Sequence, residues 1–253
     1  MSGSLLKRRR FNRKEQIKEV FTMTLKTLFT AVGRMEKRTD SPGRSYPVIV
    51  LGGKDYMVDL QEMLVWSSLN WRIARKNEIG ELYNKAVLDY SFQADRTWNA
   101  CVERLLIRGL LVSGSGATDY DALYDLLSTM YIIPASGSFP LRLFSFLKLV
   151  LVKDVPLSMA RRLLCGDKRT AGEKQVMRLA GQTLMSTAEI IKCVEKGIHS
   201  LPNEESVLDK LYDDRDTTSD NIAYLVKSSS NSKPVVLAVA NLYLRKQIIF
   251  ERI

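Results

Sequence analysis

The chain has one histidine and three cysteines in 253 residues. A site built on nitrogen and sulfur ligands needs several such residues at set spacings, and His199 has no HxxxH, HExxH or CxxC motif to join. It follows Gly197 at the end of an apolar-periodic run, where a lone histidine serves to cap the last carbonyls. Cys101, Cys165 and Cys193 are odd in number and far apart, so they form no disulfide framework. Each falls in an apolar helical pattern and reads as a small core residue in a reducing compartment.

Other signals of chemistry are missing too. There is no GxSxG elbow, no GxxxxGK[ST] loop and no GxGxxG after a strand. Gly52-Gly53 and Gly114-Ser115-Gly116 read as turn glycines. The acidic run Asp213-Asp214-Arg215-Asp216 with Asp220 lacks the central glycine and closing glutamate of a calcium loop, and reads as a loop leading to a helix cap. No cofactor, metal or catalytic role is expected. The most apolar stretch, Phe139 to Val152, is short and interrupted by Arg142 and Lys148, so no membrane span is expected. The basic start Lys7-Arg8-Arg9-Arg10 leads into Phe11-Asn12-Arg13-Lys14 rather than an apolar leader, which places the protein in the cytoplasm.

What is present in excess is positive charge. Lys and Arg number 38 against 28 Asp and Glu, a net +10. Residues 1–40 hold 11 basic and 4 acidic side chains, residues 41–133 hold 9 and 11, and residues 134–253 hold 18 and 13. A basic arm on a near-neutral body suits an anionic surface such as nucleic acid or membrane headgroups.

Three regions emerge. Residues 1–45 form a basic arm and an amphipathic helix over 13–37, on Ile17, Val20, Phe21, Leu25, Leu28, Phe29 and Val32. Residues 46–133 open with a strand over Tyr46–Leu51, a Gly52–Asp55 turn and a return strand at Tyr56–Val58. Helices follow over about 59–74, 77–86 and 93–108. Asp59 and Glu62 form a capping box at the first, and Gly109 stops the third before the short strand Leu110-Leu111-Val112. Thr118 and Asp121 cap a further helix. Residues 134–253, after a linker at 134–138, read as helices over about 139–153, 156–165, 171–196, 204–212, 218–228 and 234–252. Thr170/Glu173 and Ser186/Glu189 are further capping boxes, the second marking where the long helix can divide. No repeat period is visible. The fold class expected is mainly α, with a short β-hairpin in the first domain and an all-helical C-terminal domain.

The order strand, three helices, apolar stretch, Arg108-Gly109 and a short apolar strand resembles winged-helix DNA-binding transcription regulators over about residues 56–118. The resemblance implies that the helix over about 93–108 reads duplex DNA. It puts Ser91, Gln93, Arg96, Thr97 and Asn99 at the exposed start of that helix. Arg matches a guanine edge, Gln and Asn match adenine, and Ser or Thr at a helix start holds a phosphate. Phe92 and Trp98 read as core, and Arg104 and Arg108 reach at most the DNA backbone. Residues 59–118 are neutral, with seven charges of each sign. Affinity then falls to the arm residues Lys7, Arg8, Arg9, Arg10, Arg13 and Lys14. The expected partner is double-stranded DNA, bound by a homodimer. The alternative is a non-enzymatic adaptor or scaffold that uses the same fold to bind protein.

Overall fold

The computed structural model describes residues 25–41, 43, 45–90, 95–135, 168–214 and 216–252. The helix expected over 13–37 is contradicted wherever it is described: strands β1 (Lys26–Ala31) and β2 (Arg34–Thr39) take its place. Apolar spacing over a short run cannot separate a buried strand from a helix. Here Phe29, Thr30 and Ala31 are consecutively buried, as in a strand covered on both faces. At Gly33 the chain leaves one sheet for another. Its φ is +82°, and a Cβ there would lie 2.5 Å from the Val50 carbonyl oxygen, so only glycine fits. Strand β2 pairs with β3 (Ser45–Leu51), which turns back as β4 (Lys54–Tyr56).

The next residues complete a first unit. Helix α1 (Leu60–Leu69) is opened by the Asp59/Glu62 capping box. A two-residue strand β5 (Ala74–Arg75) follows, then α2 (Lys76–Tyr90), α3 (Trp98–Ile107) and β6 (Leu111–Gly116). The sheet order is β5-β1-β6, all antiparallel, so β1 lies in the middle although it comes first in sequence. The glycines read as a turn at 114–116 instead end β6. A Cβ on Gly114 would stand 2.2 Å from the Leu126 nitrogen, and one on Gly116 2.4 Å from Asp121 Cβ. They let α4 (Asp119–Leu127) lie against the strand.

The all-helical C-terminal domain is contradicted. Strand β7 (Tyr131–Pro134), strand β8 (Met185–Ser186) and strand β9 (Ile248–Glu251) form a third antiparallel sheet, ordered β8-β7-β9. The molecule is mixed α and β. The helix expected over 234–252 stops at Leu244, in α9 (Ser232–Leu244), because Lys246 takes φ +58° and the β-branched pair Ile248-Ile249 then joins the sheet. The run over 171–196 divides into α5 (Ala171–Ala180) and α6 (Thr187–Glu195) around β8, at the Ser186/Glu189 cap. Helices α7 (Glu204–Leu211) and α8 (Ile222–Leu225) lie between α6 and α9. The helices expected over 139–153 and 156–165, the linker residues 136–138 and Cys165 lie outside the described residues.

The two sheets are built alike. In each, a middle strand precedes a capped helix, a two-residue strand, a second helix, a last helix and a closing strand, with β2–β4 added in the first and α7 and α8 in the second. Phe29 pairs with Ala74 and Ala31 with Leu111; Ile132 pairs with Met185 and Pro134 with Ile248. Next to these pairs, Val32 N–H donates to the Leu110 carbonyl at 3.1 Å, and Ala135 N–H to the Gln247 carbonyl at 2.9 Å. The spacing from Glu62 to Ala74 equals that from Glu173 to Met185. The spacing from Arg108 to Leu111 equals that from Arg245 to Ile248. The chain therefore contains one architecture twice, with no matching sequence period.

The units share a core. Tyr243 of α9 is stacked on Phe250 and sends its phenol into the first unit. There its oxygen accepts the Trp71 N–H at 2.9 Å, donates to the Ala31 carbonyl at 3.1 Å and lies 2.8 Å from the Thr30 hydroxyl. Burial pushes this phenol up to about 12. Gly33 N–H donates to the Phe250 carbonyl at 2.9 Å, and Trp71 Nε1 to the Ile248 carbonyl at 3.2 Å. Among the described residues no helix is long and apolar enough to cross a membrane.

Candidate functional site

Helix α3 starts at the Thr97 cap, whose hydroxyl accepts the Ala100 N–H at 3.4 Å. Cys101, Val102 and Leu105 face inward, while Glu103, Arg104 and Ile107 face solvent. Thr97 is exposed and Asn99 partly so. Arg96 is differently placed. Its guanidinium bonds to Asp59, and its N–H donates to Gln61 Oε1 at 3.1 Å. The Asp59 side chain raises the Arg96 pKa further. Burial works against the Asp59 charge, but the Glu62 N–H and Arg96 still hold its carboxyl below the usual range. Ser91 and Gln93 lie outside the described residues, as do Lys7, Arg8, Arg9, Arg10, Arg13 and Lys14 of the arm.

Arg104 and Arg108 are also engaged. Both reach the carboxylate of Glu62, which is 1% exposed: Arg104 Nε to Oε1 at 2.6 Å and Arg108 Nη1 to Oε2 at 2.9 Å. Arg108 also bonds to the Met57 carbonyl. A carboxylate this deeply buried needs charged partners, and α3 supplies two of them to α1. The second unit repeats the device with one arginine: Arg245 Nη1 lies 3.3 Å from Oε2 of Glu173, which is fully buried. The capping boxes were readable in the sequence. The arginines closing on them were not, because they come from a helix distant in the chain.

At the far end of the first sheet, Lys26 of β1 pairs with Gly116 of β6. Lys26 Nζ lies 2.8 Å from Asp119 Oδ2, and Arg75 Nη2 2.9 Å from Asp119 Oδ1. These contacts, Lys26 first, lower the Asp119 pKa. Residues 1–24, with seven Lys and Arg against two Asp and Glu, lead directly into this end of the sheet. Segment 136–167 carries five against two. The described residues carry 24 of each sign, so the net +10 belongs to those two segments together with Arg44 and Arg215.

The second unit has a feature that the sequence did not announce. Two adjoining clefts, of about 500 and 410 Å³, share Tyr131, Glu189, Tyr212 and Ser219. Glu189 is 7% exposed; its carboxylate accepts the Ser186 N–H at 2.6 Å and the Tyr212 hydroxyl at 2.7 Å. Burial raises the Tyr131 and Tyr212 pKa values, and the neighbouring Glu189 raises them further. The Ser186/Glu189 cap was the only signal of this site in the sequence. Nothing in the sequence placed Tyr131 and Tyr212 beside it.

The two described thiols offer no reactive centre: burial raises Cys101 and pushes Cys193 up to about 12. His199 is exposed beyond the Gly197 stop. Among the described residues no group of three or more His, Cys, Asp or Glu side chains is placed to hold a metal ion. Comparison with protein-family models, with curated proteins and with solved structures gives no match.

Proposed function

We propose that the protein binds duplex DNA through its first unit and acts as a regulator of transcription, with the basic N-terminal arm supplying most of the affinity. One observation carries this reading: the middle strand β1 begins beside the end of β6, at the Lys26–Gly116 pair. In a winged-helix domain the wing joins the third helix's following strand to the middle strand at that end of the sheet. Here the middle strand comes from the N-terminal side, so Lys26, close after the basic segment 1–24 in the sequence, stands at the wing position. The sequence of α1, β5, α2, α3 and β6, with sheet order β5-β1-β6, supports the same resemblance. Helix α3 brings Thr97 and Asn99 toward the groove, and the arm meets phosphates. Arg96 acts through Asp59 as a brace for the start of α3 rather than as a free reader of guanine. The buried thiols suit a reducing, cytoplasmic setting.

The test is duplex binding by the full chain and by a chain lacking residues 1–14, across a salt series. Removing Lys7, Arg8, Arg9, Arg10, Arg13 and Lys14 should flatten the salt dependence, by roughly 0.9 in log–log slope for each phosphate no longer neutralised. An unchanged slope, or no duplex binding by the full chain at low salt, overturns the reading.

A second reading, a protein-binding adaptor, is favoured by the neutral described surface and by Ile107, which is 86% exposed on the outer face of α3. Ile107→Asp separates the two: it should leave arm-driven DNA binding nearly intact, whereas it would abolish docking of a protein on α3.

A further inference from the structure

Three capping-box glutamates are buried in this fold, and they are not treated alike. Glu62 receives Arg104 and Arg108, and Glu173 receives Arg245. Glu189 receives a backbone N–H and a tyrosine hydroxyl, and among the described residues no Lys or Arg side chain pairs with it. The arginine at the end of α9, the position that serves Glu62 in the first unit, is committed to Glu173. What stands beside Glu189 is a cleft of about 500 Å³.

The cleft comes from an addition to the second unit. Only residues 91–97 separate α2 from α3, whereas residues 196–231, with α7 and α8, separate α6 from α9. That longer connection brings Val207, Leu208 and Tyr212 opposite Tyr131, Thr183 and Glu189. The wall combines two tyrosine rings, two aliphatic side chains and a carboxylate. It also contains a polar atom with no partner among the described residues: Thr183 is 9% exposed, and its hydroxyl oxygen is hydrogen-bonded to none of them. A buried hydroxyl left unbonded is costly, and each such group in a native structure calls for an explanation, a bound group in the cleft being one.

We propose that this cleft binds a small organic ammonium ion, a primary amine on an aliphatic or aromatic body. The ammonium takes the place at Glu189 that arginines take at Glu62 and Glu173. One N–H is directed to the Glu189 carboxylate and one to the Thr183 hydroxyl oxygen. Tyr131 and Tyr212 add aromatic rings, which attract a cation, to the lining, and Leu184, Val207 and Leu208 cover the apolar body. The site does not depend on the DNA reading, since it lies in the second unit and uses none of the residues assigned to DNA.

The experiment is calorimetric titration of the full-length protein at neutral pH with 4-phenylbutylamine and with 4-phenylbutanol, which has the same body without the charge. The amine should bind at least about tenfold more tightly than the alcohol, a difference of about 1.4 kcal/mol. Glu189→Gln, which can still accept the Tyr212 hydroxyl, should abolish that preference, and Thr183→Val should weaken the amine severalfold without affecting the alcohol. Equal binding of amine and alcohol by the unaltered protein overturns the proposal, and so does no binding of the amine at millimolar concentration. Both outcomes are read without any variant, so a variant that folds poorly does not shield the proposal. A folded Glu189→Gln variant that keeps the preference overturns it as well.

Discussion

The two units differ most at the ends of their sheets. In the first, the strand that meets β6 there follows directly on the basic segment 1–24 in the sequence. In the second, the corresponding end at Tyr131 and Glu251 is met by the first unit itself: Glu251 Oε1 accepts the Gly52 N–H at 2.6 Å. The first unit's sheet end thus follows directly on the basic segment in the sequence, while the second unit's end is a contact within the molecule. The third helices diverge in the same way. Helix α3 leaves Glu103, Arg104 and Ile107 in solvent, whereas α9 is buried along most of its length and carries Tyr243 into the neighbouring unit. The same architecture thus leaves its third helix partly exposed in one unit, and in the other buries the equivalent helix and adds a cleft.

The sharpest way to break this comparison is through the buried glutamates. Glu62→Ala removes the partner of Arg104 and Arg108 and a longer 3.9 Å contact to Arg96, and should cost about 3 kcal/mol, the lower part of the range for breaking a buried pair because Arg104 is half-exposed. Glu173→Ala removes one arginine partner at 3.3 Å and should cost about 1.5–2 kcal/mol. Urea unfolding followed by circular dichroism measures both. Equal losses would mean that the second arginine on Glu62 adds nothing and that the two clamps are equivalent.

Tyr243→Phe tests whether the units fold together. The phenol oxygen contacts Thr30, Ala31 and Trp71, so its removal leaves the Trp71 N–H unsatisfied in a partly buried position and should cost about 1–2 kcal/mol. Trp71 holds φ at +56°, a conformation that an aromatic residue keeps only when its surroundings fix it. A single, less stable unfolding transition is expected. Two separated transitions would show that the shared core does not couple the units.

Local chemistry was legible in the sequence and nonlocal pairing was not. The boxes Asp59/Glu62, Thr118/Asp121, Thr170/Glu173 and Ser186/Glu189 are all formed, because a cap is decided within four residues. The strand from about Tyr46 to Leu51 and the stop at Gly109 are also formed, for the same local reasons. Strands β1 and β9 escaped because their apolar residues satisfy a helical spacing and their partners are far away in the chain. The duplication left no visible period because equivalent positions need only be apolar: Phe29 answers to Ile132, Leu105 to Leu242, Trp66 to Met177. For the expected DNA-contacting residues, the sequence located the helix. It could not tell that Arg96, Arg104 and Arg108 turn toward Asp59 and Glu62, since that depends on α1 and α3 packing side by side.

The smallest effect expected separates the units by acid. In the second unit Asp214 accepts from the Thr217 backbone N–H at 2.6 Å and from Lys192 Nζ at 3.0 Å, and Lys192 also donates to the Thr217 hydroxyl at 2.6 Å. Thr217 and then Lys192 hold the Asp214 carboxyl down to about 2. An unfolded aspartate titrates near about 3.9, so the folded value is the lower of the two. The stability that Asp214 adds is complete above about pH 4 and is lost as the pH falls toward about 2. Asp214→Asn should therefore lower stability at about pH 6 and have progressively less effect between about pH 4 and 2. Urea unfolding of both proteins over roughly pH 2–6 measures this as two curves that converge at the acid end. If the curves stay parallel through that window, Asp214 is not the group by which acid loosens the second unit, and its acid response must be sought in the carboxylates the units have in common.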